Sequence, residues 1–165
     1  MKTKLRPGLL TLAVFLPICV GVISVMLTGD MIKEYFFLNK PPLAPPGWVF
    51  PVVWSILYVM MGLASYLVIN SGSDRAIVVK ALVFYGIQLV LNFLWPILFF
   101  NSLYLWAFVE LLAMWAAIIV TMVFFFRTSP DAGLLMVPYL LWSTFAAYLN
   151  FAFYKLSITP MPLPR

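Results

Sequence analysis

The chain has 165 residues, of which 65% are hydrophobic and only 9% are charged. Soluble domains carry about 25% charged residues, so this surface holds too few charges to face water, and the composition predicts an integral membrane protein. The net charge of +5 does not indicate nucleic-acid binding, because the basic residues flank apolar runs and form no stripe that could follow a phosphate backbone.

Two residue types that carry much of protein chemistry are missing or rare. The sequence has no histidine and a single cysteine, Cys19, so a Ser-His-Asp triad, a histidine-ligated metal and an intrachain disulfide are excluded. We interpret Cys19, which lies in an apolar run, as a small buried hydrophobic residue. There is no Gly-rich phosphate loop or metal motif, and we predict no bound metal and no resident cofactor.

Five apolar runs are long enough to cross a bilayer as helices, which takes about 20 residues each. Their apolar character is continuous, whereas the strands of a membrane barrel alternate. The predicted fold class is therefore an all-α integral membrane protein, a single domain made of a bundle of five transmembrane helices. The runs cover residues 8–27, 48–69, 76–100, 103–126 and 132–154.

The first run follows a basic segment, which is also the layout of a secretory signal peptide. It is longer than the roughly 7–15 residues of a signal-peptide core, so we interpret it as a retained helix that Pro17 kinks. From the short termini and the lack of an organelle-targeting leader we expect a bacterial inner membrane. More basic residues lie on the side of the N-terminus than on the other, which favours a cytoplasmic N-terminus. The inner set is Lys2, Lys4, Arg6, Arg75, Lys80 and Arg127, and the outer set is Lys33, Lys40, Lys155 and Arg165.

The connection at residues 28–47 is the longest between predicted helices. Connections of this length in compact domains are usually lids, binding elements or disordered segments. Four of its residues are proline and several are aromatic. Proline restricts the unfolded ensemble and aromatic side chains favour burial, so we expect an ordered lid or binding element.

Polar and aromatic residues recur on single faces of three predicted helices, at spacings of three and four residues. Amides at hydrocarbon depth need hydrogen-bond partners, and two interpretations stay open: bonds between helices or contacts with a ligand. Tryptophans inside the runs share these faces, and their convergence would enclose a pocket for a large, flat, apolar ligand. The faces are Trp54, Tyr58, Met61 and Ser65; Tyr85, Gln88, Asn92, Trp95 and Phe99; and Tyr139, Trp142, Ala146, Leu149, Asn150 and Phe153.

Glu110 is the one charged residue well inside a predicted helix. An intramembrane carboxylate is a candidate for a proton relay. No histidine, lysine or aspartate lies on a nearby turn of the same helix, so we interpret Glu110 as a structural residue.

Three blocks of the sequence resemble the tryptophan-rich sensory protein/translocator protein family (TspO/MBR). They are KPPLAPPGWVFPVVWSILYVMMGLA (residues 40–64), QLVLNFLWPILFF (residues 88–100) and VPYLLWSTFAAYLN (residues 137–150). The resemblance implies a five-helix membrane protein, commonly a homodimer surrounded by membrane lipid, whose first loop folds over a pocket as a lid. Family pockets accept porphyrins, haem-like tetrapyrroles, sterols in some members, and synthetic isoquinoline carboxamide or benzodiazepine ligands.

The resemblance implies a function and a set of ligand-binding residues. The expected function is a membrane receptor, sensor or transporter with porphyrin or haem as ligand. The alternatives are light- and oxygen-dependent degradation of protoporphyrin IX, with Trp54 and Trp142 as candidate catalytic residues, and a scaffold without a ligand. The family usually has tryptophans where this chain has Leu43 and Glu34, which bears on stacking beneath the lid. The matched pocket positions are Tyr35, Pro45, Trp54, Tyr58, Asn92, Trp95, Trp142, Ala146 and Asn150, and Gln88 joins them from the third helix.

Overall fold

The computed structural model describes residues 5–29 and 40–159, and five helices in this part of the chain are long and apolar enough to cross a membrane. The predicted fold class is confirmed. Tyr35, a predicted ligand-binding residue, lies outside the described residues, as do Glu34 and most of the proposed lid. The helices are α1 (Pro7–Thr28), α2 (Val49–Ile69), α3 (Arg75–Phe100), α4 (Tyr104–Thr128) and α5 (Pro130–Ile158).

Capping residues determine where two of the helices begin. Asp74 precedes α3, and its carboxylate accepts a hydrogen bond from the backbone N–H of Ala76 at 2.6 Å. Ser129 caps α5 in the same way, and Pro130 occupies a first-turn position where no N–H donor is needed. α5 also extends past its predicted end at residue 154 to Ile158. The prediction followed the apolar run, which marks only the part of a helix within hydrocarbon, whereas the helical hydrogen bonds continue beyond that part.

The helices form a closed ring in the order α1, α2, α5, α4, α3. The short connections before α4 and α5 make α3, α4 and α5 successive antiparallel neighbours. α1 closes the ring by packing against both α2 and α3. The hydroxyl of Ser24 on α1 donates a hydrogen bond to the backbone carbonyl of Phe93 on α3 at 2.6 Å.

α1 and α2 cross closely near the N-terminal end of α1. A Cβ placed on Gly62 would lie 2.5 Å from the Cα of Val14 and 2.7 Å from the carbonyl oxygen of Ala13. Only glycine permits this backbone approach, as is usual for helix pairs in membranes. Cys19 on α1 is exposed on the outer surface of the bundle, so the expectation of a buried cysteine was wrong; a uniformly apolar helix does not reveal which of its faces meets lipid.

Glu110 lies half-buried in α4. Both carboxyl oxygens are shielded, and within the described part of the chain neither has a hydrogen-bond partner. A proton relay needs a neighbouring group that accepts the proton. The described residues therefore place no relay partner in hydrogen-bond contact with Glu110.

Candidate functional site

A cavity of about 1000 Å³ lies between α1, α2, α3 and α5, at the upper end of the range of roughly 300–1,000 Å³ for small-molecule sites. It occupies the end of the bundle where α1, α3 and α5 finish and α2 begins. Its lining consists of Ile18, Gly21, Val22, Val25, Met26, Lys40, Pro46, Gly47, Trp48, Phe50, Pro51, Trp54, Ser55, Tyr58, Val59, Asn92, Trp95, Pro96, Phe99, Phe100, Ala146, Leu149, Asn150 and Phe153.

A proline turn adjoins the cavity at the end of the long connection. The N–H of Ala44 donates to the carbonyl of Pro41 at 3.1 Å, and Leu43 has φ = 68°. With Pro42 before a residue of positive φ, this is the pattern of a type II turn. The hydroxyl of Tyr148 donates to the carbonyl of Pro42 at 3.2 Å and ties the turn to α5. The Leu43 side chain is 77% exposed and does not line the cavity.

Aromatic rings from α2 and α3 form one continuous wall of the cavity. The ring centroids of Trp54 and Tyr58 are 5.7 Å apart, and those of Trp54 and Trp95 are 6.1 Å apart. Trp95 in turn stacks on Phe99 with a centroid distance of 5.3 Å. We call these four residues the aromatic wall. Such ring pairs stabilise each other beyond simple burial, so these contacts help to hold the wall in shape.

A chain of hydrogen bonds links α2, α3 and α5 behind the aromatic wall. The hydroxyl of Tyr58 donates to Oδ1 of Asn92 at 2.8 Å, and Nδ2 of Asn92 donates to the hydroxyl of Tyr139 at 3.1 Å. Tyr139 donates onward to Oε1 of Gln88 at 2.8 Å. Gln88 is fully buried and ends this chain away from the cavity, whereas Asn92 both lines the cavity and joins helices.

The second amide, Asn150, fixes the position of Trp95. The indole N–H of Trp95 donates to Oδ1 of Asn150 at 3.0 Å, and Nδ2 of Asn150 donates to the backbone carbonyl of Tyr104 at 2.7 Å. An indole nitrogen only donates and a carbonyl only accepts. The orientation of this amide is therefore determined by its partners, and the Trp95 ring is held in one plane.

Most of the predicted site residues come together, but three do not share the cavity lining. Trp54, Tyr58, Asn92, Trp95, Ala146 and Asn150 line it. Trp142 packs against Phe50 and Phe145, with centroid distances of 5.9 Å and 5.5 Å, and lines a smaller groove of about 420 Å³ between α2 and α5. Pro45 and Gln88 also lie outside the lining. Helical spacing predicts Trp142 on the same face as Ala146. In the structure the cavity is lined by Ala146, Leu149, Asn150 and Phe153 of α5, and Trp142 lies to one side of them.

The sequence did not reveal the α1 side of the cavity. The one hint in the sequence of α1 is the glycine at position 21. The structure explains it, because a Cβ at Gly21 would overlap the ring of Tyr58. The other contributions from α1 are Val22, Val25 and Met26. α1 is apolar on all sides, so its sequence does not show which residues face the interior.

A family model described as the TspO/MBR family matches residues 13–156. The chain belongs to this family. It is 40% identical over 153 residues to the tryptophan-rich protein TspO of Chlorobaculum tepidum, which covers 90% of this chain and 97% of that protein. It is 41% identical over 135 residues to the tryptophan-rich sensory protein of Cereibacter sphaeroides, covering 79% and 82% of the two chains. Against the human translocator protein the identity is 38% over 131 residues, covering 77% and 76%. As a TspO/MBR member with five apolar helices, the chain is an integral membrane protein.

Proposed function

We propose that this TspO/MBR protein binds porphyrins and related tetrapyrroles in the cavity, as a membrane receptor, sensor or transporter. The observation that carries the proposal is the cavity of about 1000 Å³ beside the aromatic wall. A flat conjugated ring system gains both apolar burial and ring stacking in such a space. Other flat apolar ligands of the family, including sterols and isoquinoline carboxamides, satisfy the same shape.

Lys40 supports a ligand with carboxylates. Among the described residues that line the cavity, Lys40 is the only charged one. It lies at the end of the bundle next to the long connection, which we call the loop end. Protoporphyrin IX carries two propionate groups on one edge. Stacking its ring against the aromatic wall with that edge toward Lys40 leaves the charged groups near the bundle end, where they keep contact with water.

The experiment is a titration of purified protein in the dark, following tryptophan fluorescence, with protoporphyrin IX and with its dimethyl ester. We expect saturable quenching with about one ligand per chain, consistent with one such cavity. Lys40→Gln should raise the Kd of the free acid by up to about fivefold, the range of a partly exposed ion pair, and leave the Kd of the ester unchanged. Quenching that grows linearly with either ligand would mean that porphyrin only dissolves in the micelle and would refute the proposal.

A second candidate function is light- and oxygen-dependent degradation of protoporphyrin IX. One observation favours it: the rings of Trp54 and Trp95 lie 6.1 Å apart at the cavity wall, close enough for an oxidising equivalent to pass between them. Illumination of the saturated complex in the presence of oxygen tests it. Product that forms with wild-type protein and is lost with Trp54→Phe would support the enzyme, whereas equal bleaching by both proteins would leave binding as the function.

We also propose a bacterial inner membrane with a cytoplasmic N-terminus and a homodimeric assembly. Arg6, Arg75 and Arg127 lie at the α1 N-terminal end of the bundle, which supports the orientation. In a Cys19→Ser background, Ser71→Cys should react with an impermeant maleimide only after the cells are opened, and Asn101→Cys in intact spheroplasts. The reverse pattern would invert the orientation. Cross-linking in the membrane, with a band at twice the monomer mass, tests the dimer.

A further inference from the structure

The cavity lining is exposed at two places: at the loop end, where Lys40, Pro46 and Trp48 lie, and along one side of the bundle. The lining residues on α3 and α5 are buried or half-buried. On α1 the lining includes Val22 and Met26, which are 53% and 74% exposed. On α2 it includes Pro51, Ser55 and Val59, which are also exposed. Besides its exposed loop end, the cavity therefore opens sideways through the outer surface of the bundle between α1 and α2.

The packing of α1 against α2 explains why the opening is confined to this end. The two backbones meet closely at Gly62 and Val14, and the ring of Tyr58 fills the space left by Gly21. Beyond Tyr58, toward the loop, residues of both helices line the cavity. The contact at Tyr58 and Gly21 thus forms the lower edge of a side opening, which we call the portal. Its rim consists of Val22, Val25, Met26, Pro51 and Ser55, and Val59 lies beside its lower edge.

The rim has the character of a lipid-facing surface. Ser55 is its one hydroxyl-bearing member, and the rest are apolar. These positions belong to helices long and apolar enough to cross a membrane, and their exposed apolar side chains are suited to contact with acyl chains. An opening of this kind admits molecules that are already dissolved in the bilayer.

We infer that the ligand enters this cavity sideways from the bilayer, through the portal between α1 and α2, and is therefore an amphipathic molecule that partitions into lipid before it binds. This inference rests on the proposed binding function and specifies its route. For protoporphyrin IX, the ring would pass between the helices while the propionates stay near the loop end, toward Lys40.

The test measures association and dissociation rates of protoporphyrin IX with the full chain in liposomes, in the dark, by stopped-flow tryptophan quenching. Val22→Phe and Val59→Phe narrow the portal from its two sides. Both rates should fall by about tenfold, which corresponds to a barrier raised by about 1.4 kcal/mol. Val90→Phe is the matched control, because Val90 lies on α3, is 60% exposed and does not line the cavity; it should leave both rates unchanged.

A second measurement separates the two routes without any mutation. Aqueous protoporphyrin IX is mixed with protein-containing liposomes that also carry a fluorescent lipid, so that uptake of the ligand into the bilayer and quenching of the protein tryptophans are followed in the same experiment. Lateral entry predicts that tryptophan quenching lags behind uptake into the bilayer. Tryptophan quenching that precedes uptake, or association rates that Val22→Phe and Val59→Phe leave unchanged while binding stays saturable, would overturn the route and leave the binding function standing. No saturable quenching by wild-type protein would overturn both.

Discussion

The two ends of the α1–α2 pair have similar apolar compositions and pack in opposite ways. Near Gly62 the backbones touch, whereas from Tyr58 to the loop the same two helices enclose part of a cavity. In a bilayer, apolar side chains gain little by leaving lipid for protein, so helices associate closely only where small residues allow it. At the other end, aromatic rings held by hydrogen bonds to Asn92 and Asn150 keep the helices in place around the cavity.

The largest effect should come from breaking the close crossing. Gly62→Ala places a Cβ where the backbone of Val14 already lies, and we expect the free energy of unfolding to fall by about 3 kcal/mol, the upper range for overpacking. Gly86→Ala is the matched control, because nothing lies within 4 Å of its added Cβ. It should raise stability by up to about 1 kcal/mol through helix propensity.

Denaturant titration of both variants in detergent, followed by helical circular dichroism, measures the two changes. Equal stability for Gly62→Ala and Gly86→Ala would show that the α1–α2 crossing relaxes freely. In that case the contrast between a close-packed end and an open end would lose its physical basis.

The hydrogen bonds behind the aromatic wall should rank second. Tyr139→Phe removes the hydroxyl that accepts from Asn92 and donates to Gln88. Two buried amides would lose a partner, and we expect a loss of about 2 kcal/mol in the free energy of unfolding, as for other unsatisfied buried groups. Tyr148→Phe, whose hydroxyl is at the exposed surface and bonds the proline turn, should cost less than about 0.5 kcal/mol. Equal losses would mean that the buried chain has no special role.

The third test compares Trp54 and Trp142, which were both predicted to bind the ligand but lie in different places in the structure. Trp54 belongs to the aromatic wall, whereas Trp142 lines the groove between α2 and α5. Trp54→Phe should weaken protoporphyrin IX binding by roughly fivefold in Kd, about 1 kcal/mol of stacking. Trp142→Phe should leave the Kd unchanged. If Trp142→Phe weakens binding as much, the ligand occupies a site other than the cavity described.

Sequence alone specified most of the bundle because a spanning helix has a strong signal of length and apolarity. It also identified Asn92 and Trp95 as neighbours on one face, and both line the cavity, whereas Gln88, predicted with them, lies outside the lining. It failed for Trp142 and for α1, where neighbouring strips of a helix have the same apolar character. Whether Trp142 meets the cavity or the α2–α5 groove depends on its packing with Phe50, a contact between residues far apart in sequence.

The smallest expected effect concerns the proline turn at the loop end of the cavity. Leu43 has φ = 68°, a conformation that costs a non-glycine residue about 1–2 kcal/mol. Leu43→Gly removes this strain, but the greater entropy of the unfolded chain lowers the free energy of the unfolded state by about 0.5–1 kcal/mol, so the net gain in stability should be about 0.5 kcal/mol. Ala44→Gly, at the next position, should instead destabilise by about 0.5–1 kcal/mol, because no strain is relieved there. Denaturant titrations of the two variants should therefore differ in sign. If Leu43→Gly instead destabilises the protein, the exposed leucine side chain makes a stabilising contact with the surrounding lipid or detergent. The turn would then lie at the bilayer surface rather than in water.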